Sequence, residues 1–300
     1  MKKILVIGGT GFIGYHFIKK AKKKKFQITS ISLKKPSESR FHSKVKYIQA
    51  DISNFNNLKK KLPTEFDYIL NAGGYGAHPS FGKDGDKLIK AHFLGLINIL
   101  QVVSIKKVKK FVQIGSSAEY GKAKSPLTEE LKNYPETPYA IAKLSCTTLL
   151  RSLYNSIKLP STTLRLFQVY GPKQGTNRIL PFLIKNCLKN KKFLTTQGKQ
   201  FCDFCYVDDV VNAIFKTLKS KKTDGEIINI GIGKPIQIKK LISLVVKKID
   251  KGIPIIGGLN YKKGVNMKSY PSIKKAKKKL GWTPKVDLIE GLNKTIKSYR

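Results

Sequence analysis

Lys3-Ile4-Leu5-Val6-Ile7-Gly8-Gly9-Thr10-Gly11-Phe12-Ile13-Gly14 is the stretch that decides the fold. Residues 3–7 are a short apolar run rich in β-branched side chains, which reads as a buried strand. Glycines at 8, 11 and 14 follow at once, and a helix-like segment runs on from Tyr15 to Lys25. Glycine permits a tight turn and lets backbone approach a bound group closely. The helix behind it offers unpaired N–H groups and the positive end of its dipole to an anion. Strand, glycine turn and helix in this order predict a pyrophosphate cradle opening a dinucleotide-binding sheet. A glycine turn with no ligand is the alternative reading of the same residues.

Working outward, strand-like segments recur at 27–33, 45–49, 67–71, 110–115, 161–167 and 226–230. Helix-length stretches lie between most of them, at 12–24, 54–62, 86–105, 138–157 and 207–219. This alternation predicts an α/β fold with a doubly wound parallel sheet. Such sheets carry their sites beyond the carboxyl ends of the strands. Residues 8–14, Asp51, 71–74, Ser116 and 168–172 all fall there. After Tyr170 the pattern loosens, and 171–201 and 231–300 hold most prolines of the second half.

The chemistry is concentrated in Thr137-Pro138-Tyr139-Ala140-Ile141-Ala142-Lys143. On a helix, a spacing of four puts Tyr139 and Lys143 on one face. A phenol ionises near pH ~10 on its own, and a neighbouring ammonium favours the phenolate. The pair is a candidate device for moving a proton to or from an alcohol or ketone oxygen. A surface Tyr–Lys pair is the competing reading, because a Lys-rich chain produces the spacing by chance.

The chain has 300 residues, 41% of them hydrophobic, enough for a sizeable core. Its formal charge is +41, and all but five of its 59 basic residues are Lys. The five arginines are Arg40, Arg151, Arg165, Arg178 and Arg300. Nucleic-acid readers cluster basic residues and use Arg for bidentate contacts. Here the lysines spread along the whole length, which reads as solvated surface rather than a specific nucleic-acid site. The charge still attracts anionic substrates. No apolar run reaches the ~20 residues of a membrane span, and a strand beginning at Lys3 leaves no room for a leader. Four cysteines make no disulfide framework, so a reduced cytoplasm is expected. Cys202 and Cys205 have the spacing of half a zinc site, with no second pair, and no metal is expected.

Taken together, these motifs resemble the extended short-chain dehydrogenase/reductase family of nucleotide-sugar epimerases, dehydratases and reductases. The resemblance runs nearly end to end. It includes the Gly-x-x-Gly-x-x-Gly of 8–14, Asp51-Ile52, Gly115-Ser116-Ser117-Ala118-Glu119-Tyr120-Gly121 and Tyr139 through Lys143. It continues in Leu164-Arg165-Leu166-Phe167-Gln168-Val169-Tyr170-Gly171-Pro172, Asp203 to Val210, Asn229-Ile230-Gly231-Ile232-Gly233 and Leu280-Gly281-Trp282-Thr283-Pro284.

The resemblance implies a Rossmann-type domain over 1–170, to which 203–230 returns. A smaller C-terminal substrate-binding lobe would comprise 171–202 and 231–300. It implies Ser116, Tyr139 and Lys143 as catalytic residues, with Ser117 as the fallback for Ser116. Cofactor contacts would come from Gly8, Gly11, Phe12, Ile13, Gly14, Ser32, Lys34, Asp51, Ile52, Asn71, Ala72, Gly73, Tyr139 and Lys143. Substrate contacts would come from Tyr75, Ser116, Gln168 and Arg178, with His78 beside Tyr75. Homodimers of relatives pair through the helices that here span about 86–105 and 138–157. Leu144, Leu149, Leu150 and Leu153 are compatible with that, and equally with core packing.

Departures from the family pattern sharpen the expected reaction. Dehydratases resemble Thr-Asp-Glu where this chain has Ser116-Ser117-Ala118, so their acid and base are missing. Glu119 is one residue late and, on a strand, would face the other side. NAD-specific members carry an Asp at the end of the second strand. This chain has Ser32, followed by Lys34 and Lys35, which favours NADP over NAD. A dissociable NADPH suits reduction of a 4-keto deoxysugar attached to a nucleoside diphosphate. A 4-epimerase of the UDP-glucose type, retaining NAD, is the alternative, and a silent dinucleotide- or RNA-binding protein the third. His92 replaces the usual Asn, Gln168 replaces another, and Cys202 replaces an Arg that grips the substrate diphosphate. Arg178 is then the candidate anchor, unless it is a solvated surface Arg.

Overall fold

The structure is a computed structural model and describes residues 1–74, 79–261 and 265–300. Among the described residues, seven parallel strands form the central sheet. They are β1 (Lys2–Ile7), β2 (Phe26–Ser32), β3 (Val45–Gln49), β4 (Tyr68–Asn71), β5 (Lys110–Ser116), β6 (Ser161–Leu166) and β7 (Glu226–Ile230). Their order is β7-β6-β5-β4-β1-β2-β3, and every neighbouring pair is parallel. This is the predicted Rossmann-type doubly wound sheet, and each predicted strand appears within a residue of its expected ends.

The strands read as apolar runs because both faces of the sheet are covered. Successive side chains alternate between those faces. Ile4 and Val6 pack with Phe17 and Ile18 of α1 (Phe12–Ala21), and with residues of a helix that follows residue 206. Leu5 and Ile7 pack the opposite way, against Leu58 of α2 (Phe55–Lys61) and residues beyond it.

The predicted helix 86–105 is broken into three. α3 (Gly85–Ile89) passes into a π-helical turn, Lys90–Leu94, and then into α4 (Gly95–Val102). A π turn carries an extra residue per turn and often marks a functional position. α5 (Pro138–Ile157) has the predicted bounds. Thr137 caps it by accepting the Ala140 N–H at 3.2 Å, and Pro138 sits where no intrahelical N–H is needed.

A further core lies beside the sheet. It gathers Leu180 and Ile184 of α6 (Ile179–Leu188), together with Tyr170, Phe204 and Tyr206. α7 (Val207–Lys219) belongs instead to the main core and carries the Val210 and Ile214 that cover Ile4 and Val6. α8 (Ile238–Ile249) adds Leu241 and Val245 to the further core. α9 (Lys274–Leu280) and Trp282 pack on the main sheet's core, with the indole N–H donating to the Asp209 carbonyl at 3.0 Å. α10 (Leu288–Lys297) closes the further core with Leu292 and Ile296. No helix among the described residues is long and apolar enough to cross a membrane.

The strand order reverses between β1 and β4. Loops leaving their carboxyl ends diverge there and open a crevice, where ligands of such sheets bind.

Candidate active site

The glycine turn fills one side of that crevice. Gly8 leaves β1 with φ of +75°, a conformation natural to glycine. A Cβ on it would lie 2.6 Å from the Gly73 Cα, so the loops after β1 and β4 touch. A Cβ on Gly14 would lie 2.3 Å from the Gly8 carbonyl oxygen, so α1 packs directly on the turn. Gly11 is the N-cap of α1 and offers no side-chain cap. The first N–H groups of the helix, at Phe12, Ile13 and Gly14, therefore have no side-chain cap. A dinucleotide pyrophosphate fits this cradle: the backbone is approachable and the dipole end is positive.

The neighbouring strand ends complete the cradle. Ser32 ends β2, and its hydroxyl accepts the Thr10 N–H at 3.3 Å. Lys34 and Lys35 follow, both exposed. Beyond β3, the Asp51 carboxylate accepts the N–H and hydroxyl of Ser53 at 2.9 and 2.7 Å. The Ile52 carbonyl accepts an Asn98 amide N–H at 2.8 Å. Asn71, buried at the end of β4, donates to the Gln113 side-chain oxygen at 2.9 Å and accepts the Gly73 N–H at 3.2 Å. It thereby shapes the turn through Ala72. Tyr75 and His78 lie outside the described residues.

β5 and α5 bring the candidate proton-transfer residues together. Lys143 is buried, and its ammonium donates to the Ile114 carbonyl at 2.9 Å. The same ammonium is 5.8 Å from the ring centre of half-buried Tyr139. Ser116, two residues beyond Ile114, accepts the Ala118 N–H at 3.2 Å and keeps its hydroxyl proton for donation. His92, in the π turn, is buried with its ring edge-on to Tyr139, centroids 5.7 Å apart. A Cβ on Gly74 would strike that ring at 2.0 Å, so His92 walls the site between the β4 loop and Tyr139.

Glu119 faces away from this group, for a reason other than the one expected. Ser117–Tyr120 is a 3-10 turn, not a strand. Its carboxylate turns under Ser116, accepting the Ser116 N–H at 2.8 Å, the Thr147 hydroxyl at 2.9 Å and the Arg165 Nε–H at 2.7 Å. Both members of the Glu119–Arg165 pair are fully buried.

On the side of the further core, Gln168 is exposed and its N–H donates to the Asp203 carbonyl at 3.1 Å. Arg178 is half-buried at the N-cap of α6. Burial, with Asp203 beside it, pushes the Cys202 thiol up to about 11, so it offers no charge at neutral pH. Among the described residues, no three His, Cys, Asp or Glu side chains gather as metal ligands.

The expected list omitted Arg40. Its guanidinium donates to the Thr10 carbonyl at 2.7 Å and to the Lys173 carbonyl at 2.5 Å, spanning the glycine turn and the loop after Tyr170. Its rarity was the one available signal, since Lys fills most other basic positions.

Residues 4–231 match the model of the NAD dependent epimerase/dehydratase family. The chain belongs to that family. Family relatives span two reaction types. A UDP-glucuronate 4-epimerase of Thermodesulfobacterium geofontis is 29% identical, over 97% of this chain and 94% of its own. A dTDP-D-glucose 4,6-dehydratase of Homo sapiens is 28% identical, over 100% of this chain and 90% of its own. Among solved structures, the UDP-glucuronic acid 4-epimerase of Bacillus cereus, in complex with UDP-glucuronic acid and NAD, superposes with a TM-score of 0.88. It is 28% identical and the match covers 99% of this chain and 98% of that one.

Proposed function

We propose that the protein carries out NAD(P)-dependent oxidoreduction at carbon 4 of a nucleotide-diphosphate sugar, running as reduction of a 4-keto deoxysugar. The observation that carries this is the meeting of Tyr139, Lys143 and Ser116 beyond β5, beside a glycine cradle suited to a dinucleotide. When bound, the nicotinamide supplies the hydride. Tyr139 gives its phenolic proton to the sugar oxygen, and Ser116 donates a hydrogen bond to the same atom. Lys143 holds the nicotinamide ribose, and its charge 5.8 Å from the ring stabilises the phenolate that Tyr139 becomes. Arg178 and Gln168 are assigned to the sugar diphosphate; Tyr75, assigned to the substrate as well, lies outside the described residues. Both Glu119 oxygens are occupied, and Ser117 and Ala118 beside it carry no carboxylate, which speaks against dehydration at this position.

Replacing Lys143 by Met removes a charge-assisted bond worth ~1.5–3 kcal/mol. Dinucleotide affinity is expected to fall about tenfold, and kcat with it. Fluorescence titration of the cofactor checks this, and unchanged affinity would count against the ribose role.

Ser32 makes NADPH the favoured cofactor over NADH, since no carboxylate stands at the end of β2 to repel a 2′-phosphate. Ser32→Asp is expected to move the NADP-to-NAD affinity ratio about tenfold or more towards NAD, through like-charge repulsion and new ribose bonds. A ratio that stays put would remove Ser32 from the ribose site.

The epimerase is the second reading, supported by the similarity to two epimerases. Mass spectrometry of the cofactor released on denaturation separates the two. Empty protein that consumes NADPH with 4-keto sugar nucleotides supports reduction. Tightly held NAD, with sugar interconversion and no net oxidation, supports epimerisation. Absence of any dinucleotide binding, with RNA binding that survives physiological salt, would overturn both.

The division into 1–170 with 203–230, and 171–202 with 231–300, belongs to this proposal, with α9 and Trp282 bridging the parts. So does a homodimer through α4 and α5. Leu149, Leu150 and Leu153 pack into the sheet's second face, which leaves Leu94, at the N-cap of α4, and Ile141 and Ile157 of α5 as exposed apolar groups there. The four cysteines are free thiols, in keeping with a reducing cytoplasm.

A further inference from the structure

We infer that the 2′-phosphate of NADP is read from two sides, by basic residues after β2 and by basic residues that follow Tyr170. This rests on the dinucleotide reading above and extends it to a wall not counted among the cofactor residues. A cavity of about 590 Å³ opens beside the glycine turn. Lys34, Lys35 and Arg40, from the segment after β2, form one wall of its lining, and Lys173 and Lys185, from the segment after Tyr170, contribute a second. No acidic side chain is among its lining residues. Five cations around one cavity repel one another, and a dianionic phosphate between them offsets that repulsion.

Position identifies which phosphate. Thr10 lines the cavity and belongs to the glycine turn, with its N–H held by the Ser32 hydroxyl. A dinucleotide seated on the turn points its adenosine ribose along Ser32, so a group on the 2′ oxygen enters the cavity. Arg40 is fixed there by its bonds to the Thr10 and Lys173 carbonyls, which leaves the rest of its fork for an anion. The Lys173 ammonium bonds the Ser39 carbonyl, and the Tyr299 hydroxyl donates to the Gln174 carbonyl at 2.5 Å. The second wall is thus tied to the first before any ligand arrives. It leads on to Arg178 and α6, on the candidate sugar side, so the same phosphate links cofactor choice to the placement of that wall.

Calorimetry with the full chain tests this, using NADP, NAD, and the pair 2′,5′-ADP and ADP, which differ in where the second phosphate sits. Inorganic phosphate serves as the free-anion probe. Lys173→Ala and Lys185→Ala are each expected to lower the NADP-to-NAD affinity ratio about tenfold, and the 2′,5′-ADP-to-ADP ratio equally. Both side chains are exposed, and Lys185 makes no bond to the first wall, so it tests the charge apart from the Lys173–Ser39 tie. If Lys34→Ala and Lys35→Ala lower the ratio while both second-wall variants keep it, the inference fails and the NADP reading stands. If inorganic phosphate binds as tightly as 2′,5′-ADP, the cavity is a general anion site and the inference fails. If the unaltered protein shows no preference for NADP, the cofactor reading falls and takes the inference with it.

Discussion

Replacing Tyr139 by Phe is expected to lower kcat by about a thousandfold, within the ~10²–10⁴ range of positioned acid–base groups, and to leave fold and dinucleotide binding nearly unchanged. The substitution removes one oxygen. The ring's edge-on contact with His92 and its place over the Lys143 ammonium remain available to Phe. Tyr139 lies in the first turn of α5, where the Thr137 cap and Pro138 hold the backbone whichever ring is present. Single-turnover rates with reduced cofactor, measured beside the cofactor dissociation constant, separate chemistry from binding. Normal turnover in Tyr139→Phe would sink the proton-transfer assignment.

Arg165→Leu is expected to destabilise the fold by ~3–5 kcal/mol, the cost of leaving a buried charge without its partner. The guanidinium pairs with the Glu119 carboxylate at 2.7 Å and lies 4.4 Å over the Tyr120 ring, with no solvent on either charged group. Removing it strands Glu119 beneath the end of β5. A second change, Glu119→Gln, takes the stranded charge away and is expected to restore a large part of the loss. Denaturant melts of the wild type, both single variants and the double variant form the cycle that measures the coupling. Equal stability of the Arg165→Leu single and double variants would show that the charge is not what the arginine satisfies.

The sheet was legible because of where it is buried. Residues covered on both faces are mostly apolar, so Ile4 to Ile7 of β1 stand out as a run. The glycine turn was legible because its steric demand is local: Gly8 and Gly14 answer to atoms within a few residues or on the adjacent β4 loop. α5 was legible to the residue because Thr137 and Pro138 are start signals in their own right. Glu119 was not, since a 3-10 turn in place of a strand redirects its side chain and its partner Arg165 is distant in sequence. The basic cavity was hidden twice over. Its walls are more than a hundred residues apart, and lysines are too common in this chain for any one to signal a site.

The π turn at Lys90–Leu94 acts as a phase shifter. In an uninterrupted α-helix each residue advances the face by ~100°, so one extra residue rotates everything beyond it by that amount. α3 is thereby free to meet α5, where a Cβ on Gly85 would lie 2.9 Å from the Pro138 ring. α4 takes a separate bearing, with Gly95 against Ile52 and with Leu96 and Ile99 in the core. The two halves obey different masters, the first α5 and the second the sheet. His92 stands at the joint between them, so this wall of the pocket can be remodelled without retuning the core behind it.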